Sequence, residues 1–248
     1  MLKSHTRISR VLLSLAATSV LGLFVLFTPT LAFAATANGV KCDKGDTQCF
    51  IAFGDKAIAA RQSSLETLSD KITAQQKASN ITGDQAAALQ ADVTTNHNDL
   101  VTLKARLDAD KSAQAARQDV EAIYTQFRIY AVVLPRDYRR LHVDIEGVVH
   151  GKLVNLESKL QQAIQHASAS KQAQLNSLYS DYKTQLASAE GQIDSAQTLF
   201  PTLTPTNFNL NRSTYEGVLA KIKASESAAH NDLHKAGDDL HQIAQILK

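Results

Sequence analysis

The sequence predicts an all-α protein, an elongated antiparallel bundle of about six long helices with coiled-coil-like seams. Three observations lead there. Apolar residues recur at alternating spacings of four and three in one segment after another. Trp is absent and aromatic residues make up only 6% of the chain, with Ala and Leu abundant, which suits thin helix–helix seams better than a thick core. No stretch of useful length alternates with the period of a strand. Each helix carries one narrow apolar stripe, and such stripes bury only against one another. Short turns between successive long helices make neighbours antiparallel. The division expected is 1–34 leader, 35–46 tether with a disulfide turn, and 47–248 one helical bundle domain. Two stacked three-helix bundles are the alternative to one continuous bundle.

The leader reads as a signal peptide. Lys3, Arg7 and Arg10 give a positive start, and Val11 to Phe27 carries no charge. Ala32-Phe33-Ala34 then offers small residues where a signal peptidase reads them, so cleavage is expected after Ala34. An uncleaved N-terminal anchor is the rival reading, because the apolar run just reaches the lower limit of a membrane span. Export fits the cysteines. Cys42 and Cys49 are the only two, they flank a loop containing Gly45, and in an oxidising compartment they are expected to pair.

The first helix is expected from Thr47, with Ile51, Ile58, Leu65 and Ile72 repeating every seven residues. Thr82 and Gln85 fit a capping box that opens the second. Its seam runs through Leu89, Val93, Asn96, Leu100, Leu103 and Leu107, where the lone Asn96 reads as a register device. Asp108-Ala109-Asp110 marks a stop and restart, since Asp favours N-cap positions over helix interiors.

The third helix uses Ala116, Val120, Ile123 and Phe127 and is expected to end at Pro135. A single kinked helix is the alternative there. A fourth helix follows from Tyr138 through Leu141, Ile145, Val148, Leu156 and Leu160 to Ala163. The Ser-rich segment 167–171 reads as a turn. The fifth helix carries Leu175, Tyr182, Leu186, Ile193 and Phe200 and stops at Pro201. Thr204-Pro205 looks like an N-cap with proline at the first helical position. Ser213 and Glu216 fit a second capping box, opening a final helix that runs through Leu219, Ile222, Ala229, Leu233 and Leu240 to Leu247.

The most distinctive stretch is Phe127 to His142, FRIYAVVLPRDYRRLH. It holds three aromatics, the one proline between Pro29 and Pro201, and Arg128, Arg136, Arg139 and Arg140 against Asp137. It is expected to be the pivot at which the chain reverses. The arginines would then stand at a helix tip, where they form a candidate patch for an anionic partner.

Charge excludes one broad class. The chain has 26 basic and 24 acidic residues, and three of the basic ones lie in the leader. A near-neutral remainder gives no general case for nucleic acid. No nucleophile elbow, phosphate loop, H-E-x-x-H or C-x-x-C motif is present, so neither enzymatic activity nor a cofactor is expected. His142, Asp144, Glu146 and His150 invite a metal reading, as do His230, His234 and His241 around Asp238. Both sets read instead as solvated helix flanks. Asp144 points away from the face of its neighbours, and no other helix offers the last set an obvious further acid.

The segment LKARLDADKSAQAARQDVEAIYTQFRIYAVVLPRDYRRLH resembles a group of uncharacterised exported bacterial helical proteins. The matching features are Leu103-Lys104-Ala105, Asp108, Asp110, Phe127-Arg128-Ile129-Tyr130 and Leu134-Pro135-Arg136. The end of the chain from Leu203 to Ile243 is similar as well, so the likeness covers most of the mature protein. It implies an exported helical protein and brings no activity with it.

The functional expectation is therefore a non-enzymatic structural or interaction protein of the cell envelope or exterior, meeting a protein or envelope component. The alternative is a binder of anionic lipid or wall polymer through Arg128, Arg136, Arg139 and Arg140. A weaker third reading is an amphipathic membrane-active protein.

Overall fold

Eight α-helices follow the disulfide turn in the computed structural model, which describes residues 42–248. The expected leader 1–34 and its expected cleavage site lie outside the described residues, as do residues 35–41 of the expected tether. Of the described residues 88% are helical and none is in a strand. The helices are α1 (Thr47–Lys77), α2 (Gly83–Asp108), α3 (Ala113–Ala122), α4 (Leu134–Val154), α5 (Glu157–Gln165), α6 (Ala169–Leu199), α7 (Pro205–Leu210) and α8 (Arg212–Ile246). Two segments of wide, π-type turns, Ile123–Phe127 and Ile129–Val133, join α3 to α4. Among the described residues no helix is long and apolar enough to cross a membrane.

Local chemistry accounts for most helix starts. Cys42 and Cys49 are disulfide-bonded, and the Asp46 carboxylate just inside the loop accepts the N–H of Cys49 at 2.9 Å to open α1. Thr82 and Gln85 form the expected reciprocal box at 3.2 and 2.8 Å. Thr204 accepts from Asn207 with Pro205 first in α7. Two expected caps fall elsewhere. Helix α3 is opened by Ser112, not by Asp110. Asn211 accepts from Thr214 at the start of α8, while Glu216 pairs with Arg212 instead of closing a box on Ser213. In both cases a competing short polar side chain already supplied the acceptor.

The chain divides into two compact units. One comprises residues 42–144 and 199–220, the other 145–198 and 221–248. In the first, α1 and α2 are antiparallel, pinned by Lys104–Asp55 at 2.7 Å near one end and Ser69–Gln90 at 2.8 Å near the other. The third rod, from α3 through the wide turns into α4, returns alongside α2: Arg106 meets Asp119, Arg136 meets Asp92, and Gln85 meets Asp144. Ile58, Leu65, Leu68 and Ile72 of α1 pack with Leu89, Leu100, Leu103 and Leu107 of α2 and with Ile123, Ile129 and Val132 of the third rod, all fully or almost fully buried.

The expected reversal at Pro135 does not occur. Tyr130 stacks on Arg61 and Tyr138 on Lys71, so the third rod runs in the same direction as α1 straight through this stretch. Leu134 keeps right-handed helical angles, and Pro135 is the second residue of α4. There the ladder is already changing from wide to regular turns, and a missing N–H is tolerated. The interruption sits seven residues earlier, at Arg128, whose φ of 43° is left-handed.

In the second unit, α6 is antiparallel both to the strip formed by the end of α4 with α5 and to α8. Tyr182 donates to the Leu153 carbonyl at 2.7 Å, Ser188 to Asp232 at 2.6 Å, and Lys171 to the Ile246 carbonyl at 2.7 Å. Leu153, Leu160, Leu175, Tyr182, Leu186, Leu233 and Leu240 belong to its core. The expected fourth helix is split at Asn155–Leu156, where the Tyr182 hydroxyl takes a carbonyl of the ladder, a known cause of helix breaks.

Candidate functional site

The stretch singled out from the sequence is a hub inside the first unit. Arg128 carries the strain. Left-handed backbone is rare for a residue with a side chain, costs on the order of 1–3 kcal/mol and concentrates at functional positions. Wide helical turns share that tendency, and here they flank the strained residue on both sides. The break re-aims side chains. Tyr124 and Tyr130 are six residues apart, which a regular helix sets about 120° apart around its axis. Here both rings stack on one guanidinium, that of Arg61, at 4.6 and 4.7 Å. Arg61 is buried and donates to the Ala57 carbonyl at 2.7 Å. Burial lowers its pKa from the usual value, and the two tyrosines oppose that shift. Cation–π contact with two rings takes the place of a carboxylate partner.

Arg136 does not stand at an exposed tip. Its side chain is 14% exposed; Nε donates to Asp137 at 2.7 Å and Nη2 donates to Asp92 of α2. Burial disfavours its charge, but Asp137 and Asp92 outweigh that and hold its pKa above the usual value. Asp137 is fully buried, and burial lifts its carboxyl to about 6 against the pull of Arg136. Asn96, read from the sequence as a register device, donates to the Asp92 side chain and carbonyl within its own helix. It thus steadies the acid that receives Arg136. Arg139 and Arg140 are half-buried, and Arg140 acts electrostatically on Asp144. Of the four arginines expected to form one patch, Arg136 is neutralised internally.

Arg128 leads outward instead. Its Nε donates to the Asn209 side chain, and Asn209 in turn donates to the Thr125 carbonyl. The Arg128 guanidinium lies 4.4 Å from the centre of the Phe208 ring, and that of Arg212 lies 5.5 Å from it. Phe208 also meets Tyr215 edge-on at 5.0 Å. The short helix α7 that carries Phe208 has no buried residue, and Leu210 at its end is 78% exposed. Although none of its residues is fully buried, the helix is tied over the strained turn by the half-buried Phe208 ring and by the Asn209 hydrogen bonds. Sequence reasoning found Arg128 but missed Phe208, Asn209, Leu210 and Arg212, which lie some 80 residues further along. Their sequence signals were the Thr204-Pro205 helix start and the resemblance that begins at Leu203, and neither pointed to Arg128.

No family model, curated protein or solved structure matches the chain.

The histidine sets are not uniformly solvated flanks. Asp144 and Glu146 are buried, and Glu146 lies 3.8 Å from His230 of α8. Helix α4 therefore supplies the acid that the sequence did not place beside the last stripe. His234 faces Asp238 at 3.2 Å, and His241 bonds Gln245. Among the described residues no group of three or more His, Cys, Asp or Glu is placed to hold a metal ion. The motif residues at the α2–α3 junction carry ion pairs: Lys104 bridges Asp55 and Asp108, and Arg106 donates to both oxygens of Asp119.

Proposed function

We propose that the protein is an exported, non-enzymatic helical interaction protein, and that α7 is the part it presents to a partner. The observation that carries this is Leu210: a large apolar side chain held outward on a helix with nothing buried, beside Arg128 and Arg212 on the Phe208 ring. Aromatic and arginine side chains around an apolar point are the usual anchors of protein–protein contacts. The leader, the disulfide and the absence of a catalytic motif in the sequence support the rest of the reading.

The size of the patch favours a protein with an acid-rimmed apolar hollow over an anionic lipid surface. Two basic groups near a charged membrane contribute about 1 kcal/mol each, and one leucine roughly 2 kcal/mol. That sum corresponds to about millimolar binding, too weak to retain a single copy on a membrane. The test places a photo-crosslinking residue at Leu210 or, as control, at the exposed Val101 of α2 in producing cells. A discrete adduct from position 210 and none from 101 is expected. Identical labelling from both positions, or no protein adduct from 210, rejects α7 as the contact.

A further inference from the structure

Helix α4 turns inward three carboxyls that a surface helix would normally face to water. Asp137, Asp144 and Glu146 are all buried, and each leaves one oxygen buried without a hydrogen-bond partner: Oδ2, Oδ2 and Oε2 respectively. A buried, unpartnered anionic oxygen opposes folding strongly. A proton on that oxygen removes the charge. We propose that α4 is a proton-responsive element: folding draws protons onto Asp137, Asp144 and Glu146, so the fold is held most firmly in mildly acidic surroundings and loosens as they turn alkaline.

The surroundings of each group set the range. Asp137 is faced by Arg136 of its own helix, Asp92 of α2 and the buried Tyr215 of α8. Asp144 is faced by Arg140 of its own helix and accepts from Gln85 of α2 at 3.3 Å. Glu146 is faced by Glu226 and His230 of α8. Burial is the main influence on all three and pushes each upward. Arg136 draws Asp137 back to about 6, and Arg140 with Gln85 draws Asp144 back to about 6. Glu226 adds to the upward push on Glu146, which reaches about 8.

In the unfolded chain such groups titrate at about 4. Between about pH 4 and pH 8 the folded state thus binds more protons than the unfolded one, and stability falls as pH rises. The aspartates act in the lower part of that range, through about pH 6, and Glu146 extends the loss to about pH 8.

Urea unfolding of the purified protein from pH 5.5 to 8.5 tests this. The wild-type midpoint is expected to fall steadily as pH rises. Glu146→Gln keeps the shape and removes the charge. It should raise the midpoint at pH 8.5, leave it nearly unchanged at pH 5.5 and flatten the upper part of the profile. Asp144→Asn should flatten the lower part. A carbon-13 carboxyl NMR titration of the wild type reads Glu146 without any variant, and a titration midpoint at least two pH units above that of an exposed glutamate is expected. A wild-type midpoint that is flat or rises with pH overturns the proposal. So does a Glu146 carboxyl that titrates with the exposed ones.

Discussion

Replacing Arg136 by Gln separates a buried hub from an exposed patch. Arg136 bridges two acids from different helices and also reaches the Leu203 carbonyl at 3.4 Å. Asp137 behind it is fully buried. Removing one partner of a buried pair leaves the other charge uncompensated and costs about 3–5 kcal/mol. Arg136 retains some exposure and Asp92 rather more, so the lower end of that range, about 3 kcal/mol at pH 7.5, is expected. The cost should shrink with acid. At pH 5 Asp137, with its carboxyl near 6, is already protonated in the fold, and mainly the Asp92 contact is lost, about 1 kcal/mol. Urea unfolding at both pH values, with Arg117→Gln on the exposed face of α3 as control, measures the difference. Were Arg136 an outward-facing contact for an external anion, its loss would match the control, within about 0.5 kcal/mol. Equal effects of the two variants at pH 7.5, or a cost that does not fall on acidification, would refute the buried-hub reasoning.

Two further substitutions probe packing. A Cβ at Gly54 of α1 would come within 2.4 Å of a Leu107 methyl and 3.0 Å of a Val120 methyl. Gly54→Ala gains about 1 kcal/mol of helix propensity but overpacks at a cost of about 1–3 kcal/mol. A net loss near 1 kcal/mol is expected by urea unfolding, with reversal to a net gain in a Leu107→Ala background; a gain in the wild-type background would show that α2 yields freely. Tyr182→Phe removes the donor to the Leu153 carbonyl at the α4–α5 break and should cost about 1 kcal/mol. An unchanged unfolding midpoint would mean that the break does not depend on that hydroxyl.

The all-α class, the helix starts at Thr47 and Thr82, the α7 start at Thr204-Pro205, the turn near Ser168, the Cys42–Cys49 loop and the buried seam from Ile58 to Ile72 were legible in the sequence because each is a short-range property. A side chain caps an N–H three residues away, and a stripe repeats every turn or two, so adjacent residues suffice to reveal them. Phe127 to His142 stands out in the sequence, but its place in the fold was not readable there. Proline rules placed the interruption at Pro135, whereas the need to set Tyr124 and Tyr130 on one buried guanidinium accompanies a break at Arg128. Likewise Asp92 lies 44 residues from Arg136, and Asn209 lies 81 from Arg128. Glu146 reads as a flank beside two histidines until α8 brings Glu226 and His230 against it. Whether a charged residue on a long amphipathic helix faces water, a ring or another charge depends on which helix packs beside it and at what register. Alanine-rich stripes with many near-equivalent positions leave that choice to the assembled fold.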